Sequence, residues 1–394
     1  MKGNYNNEEL RFRAGSYERQ ITGYRAFIPK PLPPDPPMDF DVELLDLLSR
    51  ADIALGRLDG ASEILPNVDL FVAMYVNKEA VLSSQIEGTQ ASLLDVLAFE
   101  AAAVEPENPQ DIEEVVNYVA ALNYGLERLK TLPLSLRLFR EIHERLLAGV
   151  RGAERYPGQF RTSQNWIGHA GCTIETARFV PPPPSEMLTA LGDIEQFLHS
   201  STPMPTLIRI GLAHAQFETI HPFLDGNGRM GRLLITFYLC QQGVLRKPLL
   251  YLSHFFKLNK SDYYEYLQRI RDEGEWENWL KFFLRGVCDV AQEATSTARN
   301  IVNLRERHRM LIAQVLPRGA GTATQLLEHL YEHPITTIKL AAEHLGLTYA
   351  GTSNLFSRLT DLDILHEMTQ RERNRRFSYT EYLSMFTDEL PPIP

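Results

Sequence analysis

The sequence predicts a mainly α-helical protein, in which a helical bundle with a small β-hairpin flap is followed by a C-terminal winged helix-turn-helix domain. Amphipathic segments separated by short breaks run through most of the chain, which is typical of a helical bundle. Residues 165–180 mix β-branched and aromatic residues around Gly168 and Gly171, which favours a short hairpin. After a break at 317–321, three short helical segments precede two strand-like stretches, the layout of a winged helix.

Residues 1–40 are predicted to form an extended, irregular arm, because six prolines fall between positions 29 and 37 and favour a polyproline-like path. Tyr17, Tyr24 and Phe27 give this arm aromatic rings with which to dock on the protein. The composition is equally consistent with a flexible tail that does not dock, so both interpretations remain open.

Helices are predicted from about Asp41 and Asp69, separated by the break Leu65-Pro-Asn67. The second helix ends in Ser83-Ser-Gln-Ile-Glu-Gly88, where glycine terminates it because glycine adopts the left-handed conformation at little cost. Judged on these residues alone, a glutamate at a solvated helix end is commonplace. Further helices are predicted at 92–103, 111–129, 138–147, 188–199, 206–219 and 292–316.

The highest density of candidate catalytic and ligand-binding side chains lies in the stretch His221-Pro-Phe-Leu-Asp-Gly-Asn-Gly-Arg-Met-Gly-Arg232. An apolar run of helical length follows it, so Gly226-Asn-Gly228 is predicted to lie where a loop enters a buried helix. The free N–H groups and positive dipole of a helix start bind anions, and glycine lets the backbone approach a phosphate. Arg229 and Arg232 share one helix face, from which two guanidinium groups reach phosphate oxygens.

Asp225 and His221 add a metal ligand and a base to this predicted phosphate site. A carboxylate binds the Mg2+ that accompanies nucleotide phosphates, and a histidine is a candidate general base near neutral pH. His214, on the preceding helix, is predicted to be packed or hydrogen-bonded, because no second metal ligand stands at a suitable spacing.

Composition argues against several other classes of protein. A net charge of −10 argues against a protein whose main task is to coat nucleic acid or an anionic membrane. Cys172, Cys240 and Cys288 fit no metal or redox spacing, which favours a reducing compartment. The start of the chain does not read as a secretory signal, and no apolar stretch is long enough to span a bilayer. A cytoplasmic protein is therefore predicted.

The C-terminal segment gives a mixed signal about DNA. From Thr322 onwards, six Lys and Arg stand against ten Asp and Glu, whereas a domain that reads DNA normally has a basic face. The run Arg371-Glu-Arg-Asn-Arg-Arg376 supplies a local basic patch. DNA binding, dimerisation and protein docking all remain open for this segment.

The string from His221 to Arg232 resembles the signature of the Fic family of protein adenylyltransferases, His-x-Phe-x-Asp/Glu-Gly-Asn-Gly-Arg-x-x-Arg, and every specified position matches. The resemblance implies a Fic-type helical bundle, the cofactors ATP and Mg2+, and a target protein with a Ser, Thr or Tyr acceptor. Homodimers and C-terminal winged helices are common in the family. By resemblance, His221 is the catalytic base, Asp225 holds Mg2+, and ATP is bound by Phe223, Leu224, Asp225, Gly226, Asn227, Gly228, Arg229, Arg232 and Asn259.

A second match concerns regulation. The stretch from Ser83 to Gly88 resembles the family's inhibitory motif, Ser/Thr-x-x-x-Glu-Gly/Asn, which lies in a helix packed against the active site. The resemblance implies that Ser83, Glu87 and Gly88 are inhibitory, and that a pair between Glu87 and Arg232 deprives the γ-phosphate of its partner.

Two further segments look like the family. Residues 165–180 correspond to a flap that aligns the target polypeptide by strand addition. Asn259 and the pair Tyr263-Tyr264 resemble the segment that frames the adenine, where an amide reads the base edge and a ring packs on its face. The predicted organisation is an N-terminal arm with the inhibitory helices (1–110), a Fic catalytic core (111–290), a connecting helix (291–320) and a winged-helix domain (321–394).

The function implied by the resemblance is transfer of AMP from ATP to a protein hydroxyl, with inhibition by Glu87. Removal of AMP from a modified protein is an alternative that the sequence does not separate from transfer. Another is phosphotransfer, as in the Doc branch, whose motif lacks the Gly-Asn-Gly-Arg-x-x-Arg ending. A non-enzymatic alternative is a nucleotide-sensing winged-helix transcriptional regulator.

Overall fold

The computed structural model describes residues 7–65, 68–101, 108–369 and 375–387. The N-terminal arm begins with α1 (Asn7–Arg11) and the antiparallel strands β1 (Gly15–Arg19) and β2 (Arg25–Pro29). The prediction of an irregular arm is therefore wrong before residue 30, because the prolines that favour an extended path begin only at the end of β2. Phe27 is fully buried and its N–H donates to Val180 O at 2.9 Å, so the hairpin is docked.

Five helices follow between residues 42 and 146 of the described chain. They are α2 (Val42–Ile64), α3 (Val68–Ile86), α4 (Leu93–Glu100), α5 (Pro109–Arg128) and α6 (Leu136–Leu146). The Asp41 carboxylate accepts from Leu44 N and caps α2, which is the usual role of an aspartate at a helix start. Gly88 has φ +109° just after α3 ends, so a glycine follows the helix end where the sequence predicts one. The predicted breaks at Pro66-Asn67 and 105–109 fall wholly or partly outside the described residues.

The centre of the bundle is formed by α8 (Thr206–Ile220) and α9 (Asn227–Gln241), which are buried almost throughout. The neighbouring helices are α7 (Pro184–His199), α10 (Ser253–Leu258) and α11 (Lys260–Glu273). Because α9 packs against α3, α5, α6 and α8, its first turn is enclosed by the bundle. The loop between α8 and α9 is thereby held in one position.

The segment at 165–180 is not the regular hairpin that the sequence predicts. A single antiparallel bridge joins Ile167 to Phe179, with N–H···O distances of 2.8 and 3.0 Å, and turns fill the rest. The Phe179 ring is buried and lies 3.8 Å from the Arg271 guanidinium carbon. The base of the flap is therefore fixed, while its exposed residues form turns and no ladder.

A 40-residue helix, α12 (Trp276–Val315), closes the bundle and packs along α2. The sequence predicts a separate helix from Gln292, but the helix is continuous from Trp276. Between Trp276 and Gln292 the chain has no proline and a single glycine, Gly286, which does not end the helix. No helix in the described ranges is long and apolar enough to cross a membrane.

The C-terminal segment combines short helices with a small sheet. Its elements are α13 (Ala320–Glu332), β3 (Ile335–Thr337), α14 (Ile338–Leu345), α15 (Tyr349–Asp361), β4 (His366–Glu367), β5 (Arg376–Ser378) and α16 (Thr380–Leu383). The strands form an antiparallel sheet in the order β3-β5-β4. Arg371 and Arg373 of the predicted basic patch lie outside the described residues. The segment docks on α3, where the Phe386 and Tyr75 rings lie 5.5 Å apart.

Candidate active site

The loop between α8 and α9 is shaped by the side chain of Asn227. Its Oδ1 accepts from Phe223 N at 2.8 Å and its Nδ2 donates to Phe223 O at 2.8 Å. Gly226 precedes the helix with φ +73°, a conformation that glycine adopts without steric cost. Since the Asn227 amide is used within the loop, the groups that this stretch presents to an anion are the backbone N–H groups of the helix start.

Replacing Asn227 with alanine should lower the free energy of unfolding by roughly 1–3 kcal/mol, because the buried Phe223 N–H loses its partner. Phe223 O keeps a second donor, Asn165 Nδ2 at 3.0 Å. Urea unfolding of the two proteins measures the difference. Asn117→Ala is a matched control, because Asn117 is on the exposed side of α5 and makes one bond, to Ala148 O at 2.7 Å. Equal small losses in both variants would show that Asn227 does not hold the loop.

His221 terminates α8 in the left-handed conformation, with φ +49°. A non-glycine residue in this region stores about 1–3 kcal/mol of strain that its surroundings must hold. Its N–H donates to Phe217 O at 2.9 Å, and its carbonyl accepts from Arg161 Nε at 3.0 Å and Asn165 Nδ2 at 3.2 Å. The backbone of His221 is thus fixed on both sides, which sets the direction of its imidazole.

The imidazole of His221 lies in a positively charged, buried environment. Burial, and after it the guanidinium groups of Arg161 and Arg271, lower its pKa to about 3. Within the described residues, neither arginine forms an ion pair: Arg161 donates to carbonyls at the end of α8, and Arg271 donates to Thr219 Oγ1 and Glu218 O. His221 is therefore neutral at pH 7 and has a lone pair to accept a proton.

Arg232 is buried on the first turns of α9 and is held by the end of α3. Its Nε donates to Ser83 Oγ at 2.8 Å, and its Nη2 donates to Ser83 O at 2.9 Å and to Glu87 Oε1 at 2.8 Å. Burial opposes the charge of Arg232, but the Glu87 carboxylate more than offsets this and raises the arginine pKa. The pairing of Glu87 with Arg232 that the sequence predicts is present.

The Glu87 carboxylate also lies over the N-terminal end of α9. A Cβ added to Gly228 would overlap Oε1 of Glu87, so the two groups are in direct contact. The Glu87 side chain is 32% exposed. Burial raises its pKa, but the charge and hydrogen bonds of Arg232 outweigh this and lower the pKa overall. An ionised carboxylate therefore stands where the helix start favours an anion.

Arg229 and Asp225 flank the same helix start. The Arg229 guanidinium is buried against Glu114, with Nη1 to Oε2 at 3.1 Å, and its Nε has no hydrogen-bond partner within the described residues. The Asp225 side chain is 41% exposed, and its Oδ1 accepts from Gly226 N at 2.6 Å. One guanidinium donor and one carboxylate are thus available beside the backbone N–H groups.

His143, on α6, packs against the loop between α8 and α9 and bonds to it. Its Nδ1 accepts from Gly158 N at 2.9 Å, so the proton lies on Nε2, which donates to Asp225 O at 3.0 Å. Its ring stacks on Phe223 with centroids 3.7 Å apart. Burial lowers the His143 pKa to about 4, which keeps this arrangement at neutral pH. Leu224, between Phe223 and Asp225, is partly exposed.

A buried polar cluster connects α3 to its neighbours. Glu79, one turn before Ser83 on α3, accepts at Oε1 from Tyr118 Oη at 3.0 Å and Ser253 Oγ at 2.5 Å. Burial raises the Glu79 pKa to about 7. Glu218, on α8, is a second buried acid whose pKa burial raises to about 7. Both carboxyl groups lie near Arg232, whose charge lowers their pKa values and opposes part of the burial effect.

Replacing Glu79 with glutamine should reduce the loss of stability as pH rises. The folded-state pKa of Glu79, about 7, exceeds the ordinary value of 4.5. The protonated carboxyl group therefore contributes its full stabilisation of the folded state below about pH 4.5, and this contribution is lost as pH rises through 7. The difference is worth roughly 3 kcal/mol for this group. Unfolding measured from pH 4.5 to 8 checks this, with Glu127→Gln on the exposed end of α5 as control. Parallel pH profiles for Glu79→Gln and the parent chain would contradict it.

Asn259 lies between α10 and α11, next to the end of α3. Its Nδ2 donates to Phe255 O at 2.9 Å, and the adjacent Lys260 Nζ donates to Ile86 O at 2.7 Å. Tyr263 is buried and its hydroxyl bonds to His214 Nε2 at 3.0 Å, whereas Tyr264 is partly exposed. His214 is hydrogen-bonded on both ring nitrogens, as predicted.

The structure brings the two predicted halves of the site together and adds residues that the sequence analysis missed. Glu114 was identifiable as a charged residue within the apolar stripe of Ile112, Val115 and Tyr118, a position that is seldom filled by a charge without a partner. His143 and Arg161 carry no such signal. Their partners are backbone groups of distant segments.

The chain matches the model of the Fic/DOC family N-terminal region over residues 45–127 and the model of the Fic/DOC family over residues 133–239. Protein adenylyltransferase Fic of Aedes aegypti is 30% identical over 57% of this chain and 44% of its own length. The protein of that name from Drosophila grimshawi is 28% identical over 48% of this chain and 36% of its own length. This chain therefore spans less than half the length of these relatives.

Solved structures share the fold. A Fic family protein from Desulfovibrio desulfuricans superposes with a TM-score of 0.58 at 20% identity, over 87% of this chain and 98% of that chain. A Fic domain containing signaling protein from Bacteroides thetaiotaomicron gives a TM-score of 0.50 at 18% identity, over 65% and 95% of the two chains. The two family matches include Glu87 and the whole loop from His221 to Arg232. The chain thus contains an N-terminal domain and a Fic domain of the Fic/DOC family.

Proposed function

We propose that this protein transfers AMP from ATP to a Ser, Thr or Tyr hydroxyl of a target protein and that Glu87 inhibits the reaction. One observation carries the proposal: His221, whose pKa is lowered, ends α8 and leads into a loop before a helix start at which backbone N–H groups and two buried arginines lie. The relatives named protein adenylyltransferase Fic support the reaction type. The base, the anion site and the relatives together favour nucleotidyl transfer.

The phosphates of ATP are proposed to bind at the start of α9. The N–H groups of Asn227 and Gly228 have no intrahelical partner and carry the positive end of the helix dipole, whereas the Gly226 N–H donates to Asp225 Oδ1. Arg229 contributes its Nε, which is buried without a partner within the described residues. Arg232 is proposed to bind the γ-phosphate once Glu87 leaves, because a guanidinium group matches two phosphate oxygens.

Asp225 is the residue that fits a magnesium ion. Its carboxylate is 41% exposed beside the helix start, and Gly152 leaves space in front of it, since a Cβ there would lie 2.9 Å from Oδ2. A bound Mg2+ would offset negative charge on the phosphates and on the leaving pyrophosphate. The carboxylate itself orients the loop through its bond to Gly226 N.

His221 is proposed to act as general base. The acceptor hydroxyl oxygen attacks the α-phosphorus, and its proton moves to the His221 imidazole. The bond between the α-phosphorus and the bridging oxygen of the β-phosphate breaks, and pyrophosphate leaves. A neutral imidazole is required at the start, which the burial of His221 provides. Arg161 and Asn165 position the ring through the His221 carbonyl.

The adenine of ATP and the target polypeptide have separate proposed sites next to the phosphate site. Asn259 and the partly exposed Tyr264 are proposed to frame the adenine, whereas Tyr263 is engaged with His214. The flap at 165–180 is proposed to align the target chain through its backbone groups. Its single bridge at Ile167 leaves neighbouring backbone groups outside a strand ladder.

The inhibition is proposed to be direct competition for Arg232. With Glu87 paired to Nη2 at 2.8 Å and in contact with Gly228, a γ-phosphate would lose its arginine and meet a carboxylate. Like charges in a partly buried site repel strongly. ATP would then bind, if at all, in a pose that does not support attack on the α-phosphorus.

Mass spectrometry of the Glu87→Gly protein incubated with ATP, Mg2+ and a cell lysate tests the proposal. The expected result is a gain of AMP on Ser, Thr or Tyr residues that requires His221. Loss of AMP from already modified proteins, when they are incubated with the parent chain, would instead indicate the reverse reaction, with Glu87 orienting a water. No change in either direction would argue against both.

We propose that the C-terminal segment is a winged helix that binds protein surfaces and not DNA. Its three helices and antiparallel sheet follow the element order of a winged helix. Its contact with α3 through Phe386 supports a docking role within this chain. A salt-dependent gel shift with the full chain tests the rival role as a transcriptional regulator, and DNA binding would favour it.

The three unpaired cysteines are consistent with the proposed cytoplasmic location.

A further inference from the structure

A cluster of histidines lies at the end of α13, far along the chain from the nucleotide site. His329, Glu332 and His333 place one ligand atom each within 4.8 Å of one another. His344, on α14, stacks its ring on His329 with centroids 4.3 Å apart. Two imidazoles and a carboxylate separated by three and four residues on one helix end form a typical ligand set for zinc.

His329 supplies an independent observation. Its residue is 5% exposed, and neither Nδ1 nor Nε2 has a hydrogen-bond partner within the described ranges. A buried polar group without a partner costs about 1–3 kcal/mol, and an ion that is not part of the coordinates is one of the explanations for such a group. Leu326, Leu327 and Leu330 of the same helix are fully buried, so His329 lies on the buried part of α13.

We propose that His329, Glu332 and His333 bind a divalent transition-metal ion of the zinc type. A tetrahedral zinc with bonds of about 2.1 Å places its ligand atoms roughly 3.4 Å apart, so small side-chain rotations convert the observed spacing into a coordination sphere. Glu332 and His333 are exposed, which gives the ion a path from solvent to His329. The mixed nitrogen and oxygen ligands select against Mg2+ and Ca2+, which prefer oxygen alone.

The ion would join the end of α13 to the turn that leads into β3, and would thereby stabilise the C-terminal segment.

Calorimetric titration of the full, tag-free chain with zinc chloride in the presence of excess Mg2+ tests the proposal. We expect one zinc ion per chain and a rise in the melting temperature. His333→Ala, which removes an exposed ligand, should weaken zinc binding at least tenfold. Glu332→Gln should weaken it in the same direction. Visible absorption of the cobalt-substituted protein should show the intense bands of a four-coordinate site in the parent chain and lose them in His333→Ala.

His366→Ala is the matched control, because it removes a histidine of the same segment that pairs with Asp363 outside the cluster. This variant should bind zinc as the parent chain does. Absence of zinc binding by the parent chain would overturn the proposal. Equal binding by His333→Ala and His366→Ala would also overturn it, since the ion would then be held elsewhere. Because AMP transfer is not the readout, these outcomes are independent of the proposed function.

Discussion

A Glu87→Gly protein should modify itself and other proteins with AMP roughly ten- to a hundredfold faster than the parent chain. The substitution removes the carboxylate that pairs with Arg232 at 2.8 Å and lies against Gly228. A hydrogen bond between charged groups contributes about 1.5–3 kcal/mol, and its loss shifts the balance towards the ATP-competent arrangement by the corresponding factor. Incorporation of label from ATP labelled at the α-phosphate measures the rate.

Glu127→Gly is the matched control for this change. Glu127 also stands at the end of a helix and pairs with a cation, Lys130, at 2.5 Å, but it is exposed and far along the chain from the motif. Its loss should leave the rate unchanged. If Glu87→Gly also leaves the rate unchanged while the protein remains folded, Glu87 does not inhibit the reaction.

His221→Ala, introduced into the Glu87→Gly protein, should lower the rate of AMP transfer by about 10²–10⁴-fold, the usual contribution of a general base. The double variant is needed because inhibition would hide the loss in the parent chain. ATP binding should persist, since the helix start, Arg229 and Arg232 are unchanged. Single-turnover transfer and nucleotide-binding assays on the same samples separate the two effects.

His199→Ala offers a control for the loss of an imidazole. His199 lies at the end of α7, where its Nε2 bonds to Leu134 O at 2.6 Å away from the loop. This variant should retain the rate of the Glu87→Gly protein. A double variant with His221→Ala that transfers AMP at an undiminished rate would remove His221 from the mechanism.

The local sequence predicted those parts of the site that depend on backbone propensity. The start of α9 at Asn227 follows from a glycine-flanked loop and an apolar run, and the end of α3 follows from Gly88. The encounter of Glu87 with Arg232 was predicted only through the family resemblance. Their separation of 145 positions carries no periodic signal, because packing of α3 on α9 brings them together.

Side-chain roles within the loop were harder to predict. Asn227 was expected among the groups that hold the anion, but both ends of its amide bond to Phe223. An asparagine at the first position of a helix suits either role, and the choice depends on how tightly the preceding loop folds back. His143 and Arg161 were missed because they bond to backbone carbonyls and N–H groups of other segments, which leave no trace in residue patterns.

The strands were the least predictable elements. The β1–β2 hairpin precedes the proline run and depends on the contact of Phe27 with the flap base at Val180. The flap itself has hairpin-like composition but pairs at one bridge, Ile167 with Phe179. Both outcomes follow from tertiary contacts, since β propensity depends strongly on what covers the strand.

The most direct test of the account compares two labels in the Glu87→Gly protein, with ATP labelled at the α-phosphate in one sample and at the γ-phosphate in the other. The account predicts covalent retention of the α-label on protein hydroxyls, release of the γ-label in pyrophosphate, and loss of retention after His221→Ala. Retention of the γ-label, or retention of neither label by the folded protein, would contradict it.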